Sequence, residues 1–147
     1  MSTAATAREQ ANRSWLRTAL LVALVYPAVG IGFALLDTPS GPGPVRVWRL
    51  AAWVASAVAF GLHVAYEHRT IHAPALRAAF HVAFAVALGG FLLAAWVNVH
   101  GLWVDPSRQS RWAPLALVTF PLVAGVPAFG VALAALAAAA RFSRRPR

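Results

Sequence analysis

Two histidines, one glutamate and one arginine are the residues of this sequence whose types and spacing could do chemistry. His63 lies four residues before Glu67, and Arg77 lies four residues before His81. Residues four apart in an α-helix share a face and lie about 6 Å apart along the axis. If the two segments form an antiparallel helical hairpin, Glu67 and Arg77 lie at one depth and the two imidazoles lie one turn deeper.

This arrangement predicts either a ligand set or a structural contact. His63, Glu67 and His81 are a two-histidine, one-carboxylate set of the kind that binds iron or zinc. Haem between the two histidines is a further alternative, but adjacent helices about 8–10 Å apart leave no room for a porphyrin. We favour the structural alternative, in which Glu67 and Arg77 form an ion pair that closes the hairpin. In that case we expect no cofactor.

Other chemical signatures point away from catalysis. The sequence has no cysteine, which excludes disulfides, thiol chemistry and thiolate metal sites. It has no phosphate-binding glycine loop, no HExxH motif and no Ser-His-Asp arrangement. Its four acidic residues are few for general acid–base chemistry. We therefore assign no catalytic residue and expect a protein that is not an enzyme.

Four uncharged stretches must position these residues, and they fill most of the 147-residue chain. They cover residues 18–36, 50–66, 78–104 and 112–140. A helix needs about 20 residues to cross a bilayer, so each stretch can span it, the second only marginally. Hydrophobic residues make up 60% of the sequence and charged residues 12%, as in membrane domains. The predicted fold is an all-α integral membrane protein, a four-span up-down-up-down helix bundle with short loops.

The predicted organisation is one transmembrane domain between two tails. The domain covers residues 15–140, with spans at about 16–36, 47–67, 76–104 and 112–140. A tail of residues 1–14 precedes the domain, and a basic tail of residues 141–147 follows it. The fourth span ends in an alanine-rich run, residues 134–140, which indicates close helix packing rather than chemistry.

Small and polar residues form a stripe along the second span. At about 100° per residue the stripe consists of Arg49, Ala52, Ser56, Ala59, His63 and Glu67. The opposite side carries Val54, Val58, Leu62 and Ala65. Because small and polar residues pack between membrane helices, we expect the stripe to face the bundle. The third span has a line of small residues from Ala83 to Gly101, which we expect to pack against a neighbouring helix.

The arginines predict the orientation of the bundle. With four spans, both termini and the loop between the second and third spans share one side. That side carries nine of the 13 basic residues, namely Arg8, Arg13, Arg17, Arg69, Arg77, Arg141, Arg144, Arg145 and Arg147. The positive-inside rule places it in the cytoplasm. Topology and anionic lipid headgroups thus account for the net charge of +9, and we expect no nucleic-acid partner.

The sequence therefore predicts a small multi-pass membrane protein with both termini in the cytoplasm. The lack of lysine and the abundance of alanine and arginine are typical of a GC-rich genome and favour a bacterial inner membrane. We expect a non-enzymatic bundle that associates with itself or serves as an accessory subunit of another membrane protein. Besides the lipid bilayer, its expected partners are further copies of the chain or another membrane protein. The alternative is a metal- or haem-binding redox protein that uses His63, Glu67 and His81.

Overall fold

The computed structural model describes the backbone of residues 2–36, 44–71, 73–104 and 111–143. Within these ranges the chain forms four α-helices: α1 (Ser2–Leu36), α2 (Pro44–Tyr66), α3 (Ala75–Val104) and α4 (Ala116–Ser143). A π-helical turn, Glu67–Ile71, continues α2, and a short 3-10 helix, Ala113–Leu115, precedes α4. The loops predicted between the first and second spans and between the third and fourth lie outside the described residues, as does the end of the basic tail.

Four helical stretches are long and apolar enough to cross a membrane. They are Trp15–Phe33, Val47–Ile71, Ala75–Val104 and Ala113–Phe142. They match the predicted spans closely, which confirms the all-α fold and the number of candidate spans. Membrane insertion and the up-down order stay predictions. α1 differs from the expectation at its start, because the helix begins at Ser2 and runs through most of the predicted tail, whose alanine-rich sequence favours helix.

α3 is the central helix of the bundle. It packs most extensively on α4 and then on α1, whereas α2 packs mainly on α1 and touches α3 and α4 only lightly. The expectation that consecutive helices are close neighbours therefore describes α3 with α4 and α1 with α2. It does not describe α2 and α3, which are consecutive in the chain but touch only lightly.

A glycine allows the close approach of α3 to α1. A methyl group placed on Gly89 would lie 2.9 Å from the Cβ atom of Tyr26 and 3.0 Å from the carbonyl oxygen of Ala23. Both distances are shorter than carbon atoms tolerate without movement. Only a residue without a side chain fits at this crossing.

Small residues also hold α3 against α4. A methyl group on Gly90 would lie 3.2 Å from the carbonyl oxygen of Phe120, and one on Gly125 would lie 2.9 Å from the Cβ atom of Ala87. Such backbone-level contact is how membrane helices associate without a hydrophobic driving force. The predicted packing of the small-residue line on α3 is confirmed here, and its partner is α4.

α2 presents its predicted stripe to the bundle. The small residues of the stripe are partly buried, and His63 and Glu67 are fully buried. On the opposite side three large side chains are more than half exposed, namely Val54, Val58 and Leu62. The periodicity of small and polar residues therefore predicted the rotation of α2 correctly, apart from Arg49, which is exposed near the start of the helix.

Candidate functional site

Three of the predicted site residues meet at one end of the bundle. His63 lies in the last turn of α2, Glu67 opens the π-helical turn, and His81 lies near the start of α3. One carboxylate oxygen of Glu67, Oε2, lies 3.1 Å from Nδ1 of His81 and accepts a hydrogen bond from it when the carboxylate is ionised. The other oxygen, Oε1, lies 3.7 Å from Nε2 of His63. The carboxylate thus lies between two imidazoles, one beside each oxygen.

The carboxylate belongs to the first residue of the π-helical turn. The wider hydrogen-bond register of this turn inserts an extra residue relative to an α-helix and changes the direction of the side chains that follow. Glu67 stays fully buried, whereas the next three residues, His68, Arg69 and Thr70, are exposed. The spacing of polar residues in the sequence gives no signal for this turn.

Trp15 of α1 covers the cluster. Its indole ring stacks on the imidazole of His81, with ring centroids 4.2 Å apart and an interplanar angle of 4°. Phe84 meets the same indole edge-on, with centroids 6.2 Å apart. Residues from α1, α2 and α3 therefore converge on one imidazole–carboxylate pair. Sequence reasoning missed Trp15, because no local spacing links residues that are so far apart in the chain.

The cluster is sealed from the surroundings of the bundle. His63 is 2% exposed, Glu67 is 0% exposed and His81 is 5% exposed. Within the described part of the chain, both ring nitrogens of His63 and Oε1 of Glu67 lack a hydrogen-bond partner. A buried carboxylate is stable only when a cationic or hydrogen-bonding group compensates it. His81 supplies that group here.

Arg77, the expected ion-pair partner of Glu67, is not brought into the cluster. Its side chain is exposed, and the ion pairs that Glu67 makes among the described residues are with His63 and His81. Leaving a guanidinium exposed at the helix end avoids the large cost of removing it from water. The structure therefore pairs Glu67 with the histidine one turn deeper and not with Arg77.

The geometry also bears on the predicted metal or haem site. Among the residues whose placement is described, no group of three histidine, aspartate or glutamate side chains is arranged to hold a metal ion. A porphyrin does not fit between His63 and His81, because the Glu67 carboxylate already lies within 4 Å of both rings. Among the described residues of the cluster, one hydrogen bond joins Glu67 to His81, and the ring of His63 lies beside the other carboxylate oxygen. With Trp15 stacked on His81, these contacts connect α1, α3 and the end of α2.

A cavity of about 750 Å³ lies farther along the bundle, between all four helices. Small residues leave the space, among them Gly30 on α1, Ala52 on α2, Gly89 on α3 and Ala124 on α4. No charged side chain of the described residues lines the cavity. The sequence showed small residues on these helices but could not show that α2 stands away from α3 and α4, which is what opens the cavity.

No protein-family model matches this sequence, and comparison with curated proteins and with solved structures finds no match. The function must therefore be argued from the buried cluster, the cavity and the outer surface of the helices.

Proposed function

We propose that this chain is a non-enzymatic, multi-pass membrane protein that acts by association, with further copies of itself or as an accessory subunit of another membrane protein. Its four apolar helices support insertion into a bilayer. The distribution of arginines supports an up-down-up-down order with both termini in the cytoplasm, and the composition supports a bacterial inner membrane. On this topology the cluster around Glu67 lies near the cytoplasmic face.

The burial of the ionisable residues supports a role that is not catalytic. A general acid or base must come within hydrogen-bond reach of a substrate. The side chains of His63 and Glu67 are 0% exposed, and Trp15 covers His81. These are the buried polar or charged residues in the described part of the chain. Within the described part of the chain these side chains are not accessible to a substrate, which supports a role in the stability of the bundle.

The observation that carries the proposal is an uncovered stripe of small residues on α4. Gly130, Ala134 and Ala138 are four residues apart, so they lie on one face, and all three are exposed. A methyl group on Gly130 would meet nothing within 4 Å. Small residues repeated every four positions are typical of contacts between membrane helices, because they let two backbones approach closely. One face of the alanine-rich run packs on α3, where Leu136 is buried beside Ala79 and Val82. The face of Gly130, Ala134 and Ala138 is left uncovered by the described helices.

A shallow surface depression continues this stripe. It has a volume of about 440 Å³ and is lined by Ala134, Ala137, Ala138, Arg141 and Phe142. A helix from another chain can approach α4 more closely at such a depression than at a helix surface covered with bulky side chains. We therefore assign the half of α4 that follows Pro127 as the association surface.

Cysteine cross-linking in native membranes tests this proposal directly, because the chain has no cysteine of its own. Ala134→Cys should form a disulfide-linked dimer on mild oxidation, if the partner is a second copy. Leu122→Cys is the matched control, because Leu122 is also exposed on α4 but lies on a different side of the helix. Ala134→Leu should abolish association as measured by native mass spectrometry.

An accessory role predicts a different outcome of the same experiment. Ala134→Cys then gives no dimer, but a photoreactive probe attached to this cysteine couples to one other membrane protein, and the coupling is lost when Gly130 is changed to Leu. A monomer with no dimer and no coupled protein from this surface would contradict the proposal. Metal analysis and an optical spectrum of the purified protein check the alternative, since stoichiometric metal or a haem band would establish it.

A further inference from the structure

We infer that the cavity between the four helices binds one acyl chain of a membrane lipid. The inference goes beyond the association proposed for α4, because it concerns a different part of the molecule. It rests on the position of the cavity, its opening, its chemistry and its size.

The cavity lies near the middle of every candidate span. Tyr26, Ser56, Gly89 and Val123 line it from α1, α2, α3 and α4. These residues lie between 7 and 19 positions from the ends of their spans. In a bilayer this depth is the hydrocarbon region, far from the headgroups. A molecule that reaches the cavity therefore comes from the lipid phase.

The cavity opens sideways between α2 and α4. These two helices touch only lightly. The side chains that frame the opening are among the most exposed of the chain, with Trp53 77% exposed and Val123 74% exposed. The residues deeper in the cavity are less exposed: Gly89 is buried and Leu93 is partly buried. A flexible chain can thus enter from the side without any helix being displaced.

The walls suit an apolar, uncharged occupant. The lining residues that carry hydroxyl groups are Tyr26, Ser56 and Thr119. The Thr119 hydroxyl donates a hydrogen bond to the carbonyl oxygen of Leu115 at 3.2 Å, and the Tyr26 hydroxyl is buried without a hydrogen-bond partner among the described residues. Three hydroxyls leave most of a cavity of this size apolar, and an apolar surface does not hold ordered water, because water needs two or more polar partners. An unfilled cavity of this size would lose packing contacts on every side. Hydrocarbon restores those contacts.

The volume distinguishes a lipid chain from a partner helix. A helix about 10 Å wide that crosses about 30 Å of hydrocarbon occupies roughly 2,000 Å³. The cavity holds about 750 Å³, within the range of roughly 300–1,000 Å³ that small-molecule sites occupy. A helix of another chain is too large, and a single acyl chain is of the right scale.

The test uses the full-length protein in phosphatidylcholine vesicles that contain a lipid with a diazirine in the middle of one acyl chain. After illumination, labelled positions are mapped by peptide mass spectrometry. We expect labelling of Leu93 on the inner wall in addition to outward residues of α2 and α4. The double variant Ser56→Leu and Ala124→Leu fills the cavity from two sides and should abolish the label at Leu93. Ala57→Leu, which adds similar bulk at an exposed position of α2, should leave that label unchanged.

Native mass spectrometry gives an independent measurement. The unaltered protein should retain one lipid per chain after detergent exchange, and the double variant should retain none. If the double variant fails to fold, as judged by loss of helical circular dichroism, Ala52→Leu alone replaces it. Two results would overturn the inference while leaving the association proposal intact, because cross-linking through Ala134→Cys would persist: absence of label at Leu93, and equal labelling of Leu93 in the double variant. Loss of the label when the protein dimerises would also overturn the inference, because a second copy would then fill the cavity.

Discussion

At the scale of single residues, the most informative feature is a carboxylate that is stabilised by imidazoles and not by arginine. Glu67 is fully buried and lies 3.1 Å from His81, whose ring is stacked on Trp15. The sequence predicted that His63, Glu67 and His81 lie together, because the four-residue spacing of His63 and Glu67 before the loop is repeated by Arg77 and His81 after it. It could not identify the pairing, since the choice between Arg77 and His81 depends on the cost of burying a guanidinium, which local spacing does not express.

Replacing His81 tests this pairing. In His81→Ala the carboxylate of Glu67 stays buried without its hydrogen-bond donor, and Trp15 loses its stacking partner. We expect the free energy of unfolding to fall by about 3 kcal/mol, the usual cost of breaking a buried pair by removing one partner. The measurement is unfolding in mixed micelles followed by circular dichroism.

Arg77→Ala is the control for that measurement, because Arg77 is exposed. We expect it to change the free energy of unfolding by less than about 0.5 kcal/mol, as for most surface substitutions. If Arg77→Ala is as destabilising as His81→Ala, the guanidinium does compensate Glu67, and the hairpin pairing expected from sequence is restored.

At the scale of helices, the sequence predicted which faces of α2 and α3 are buried. It did not predict which helices pack against each other. The stripe on α2 and the small-residue line on α3 follow from the period of about 3.6 residues alone, and both face protein as expected. The loose packing of α2 against α3 does not follow from either pattern. It arises because Gly90 and Gly125 draw α3 towards α4, and Gly89 draws it towards α1, which leaves α2 attached mainly to α1.

The crossing of α1 and α3 gives a prediction at this scale. Gly89→Ala places a methyl group 2.9 Å from the Cβ atom of Tyr26, so one helix must move. We expect a loss of about 1–3 kcal/mol in the free energy of unfolding, as for other overpacked contacts. Gly61→Ala on α2 is the matched control, because nothing lies within 4 Å of the added atom.

The control should be neutral or slightly stabilising, since alanine is the better helix former by about 1 kcal/mol. Equal losses in the two variants would mean that both glycines are needed for backbone flexibility and not for close contact. A loss in Gly61→Ala alone would place a partner helix on the outer side of α2 instead of on α4.

At the scale of the whole molecule, three features occupy different parts of the bundle. One end is locked by the cluster of His63, Glu67 and His81 under Trp15, and the middle is opened by the cavity. The stripe of small residues on α4 lies alongside the locked end. The two proposals assign lipid contact to the cavity and association to α4, so stability, lipid contact and association would depend on different residues.

Orientation in the membrane is the prediction that belongs to the whole molecule. With four alternating spans, nine of the 13 arginines would share the side that holds both termini and the connection between α2 and α3, so that side should be cytoplasmic. The absence of cysteine makes single-cysteine labelling in intact cells unambiguous. Ser107→Cys should react with a membrane-impermeant maleimide from outside, whereas His68→Cys should react only after the membrane is permeabilised. A reporter that is active only in the cytoplasm should be active when it is fused after Arg147.

Reaction of His68→Cys alone in intact cells would show that the bundle has the opposite orientation, with the buried glutamate near the outer face. Reaction of both cysteines from outside would require a number of spans other than four.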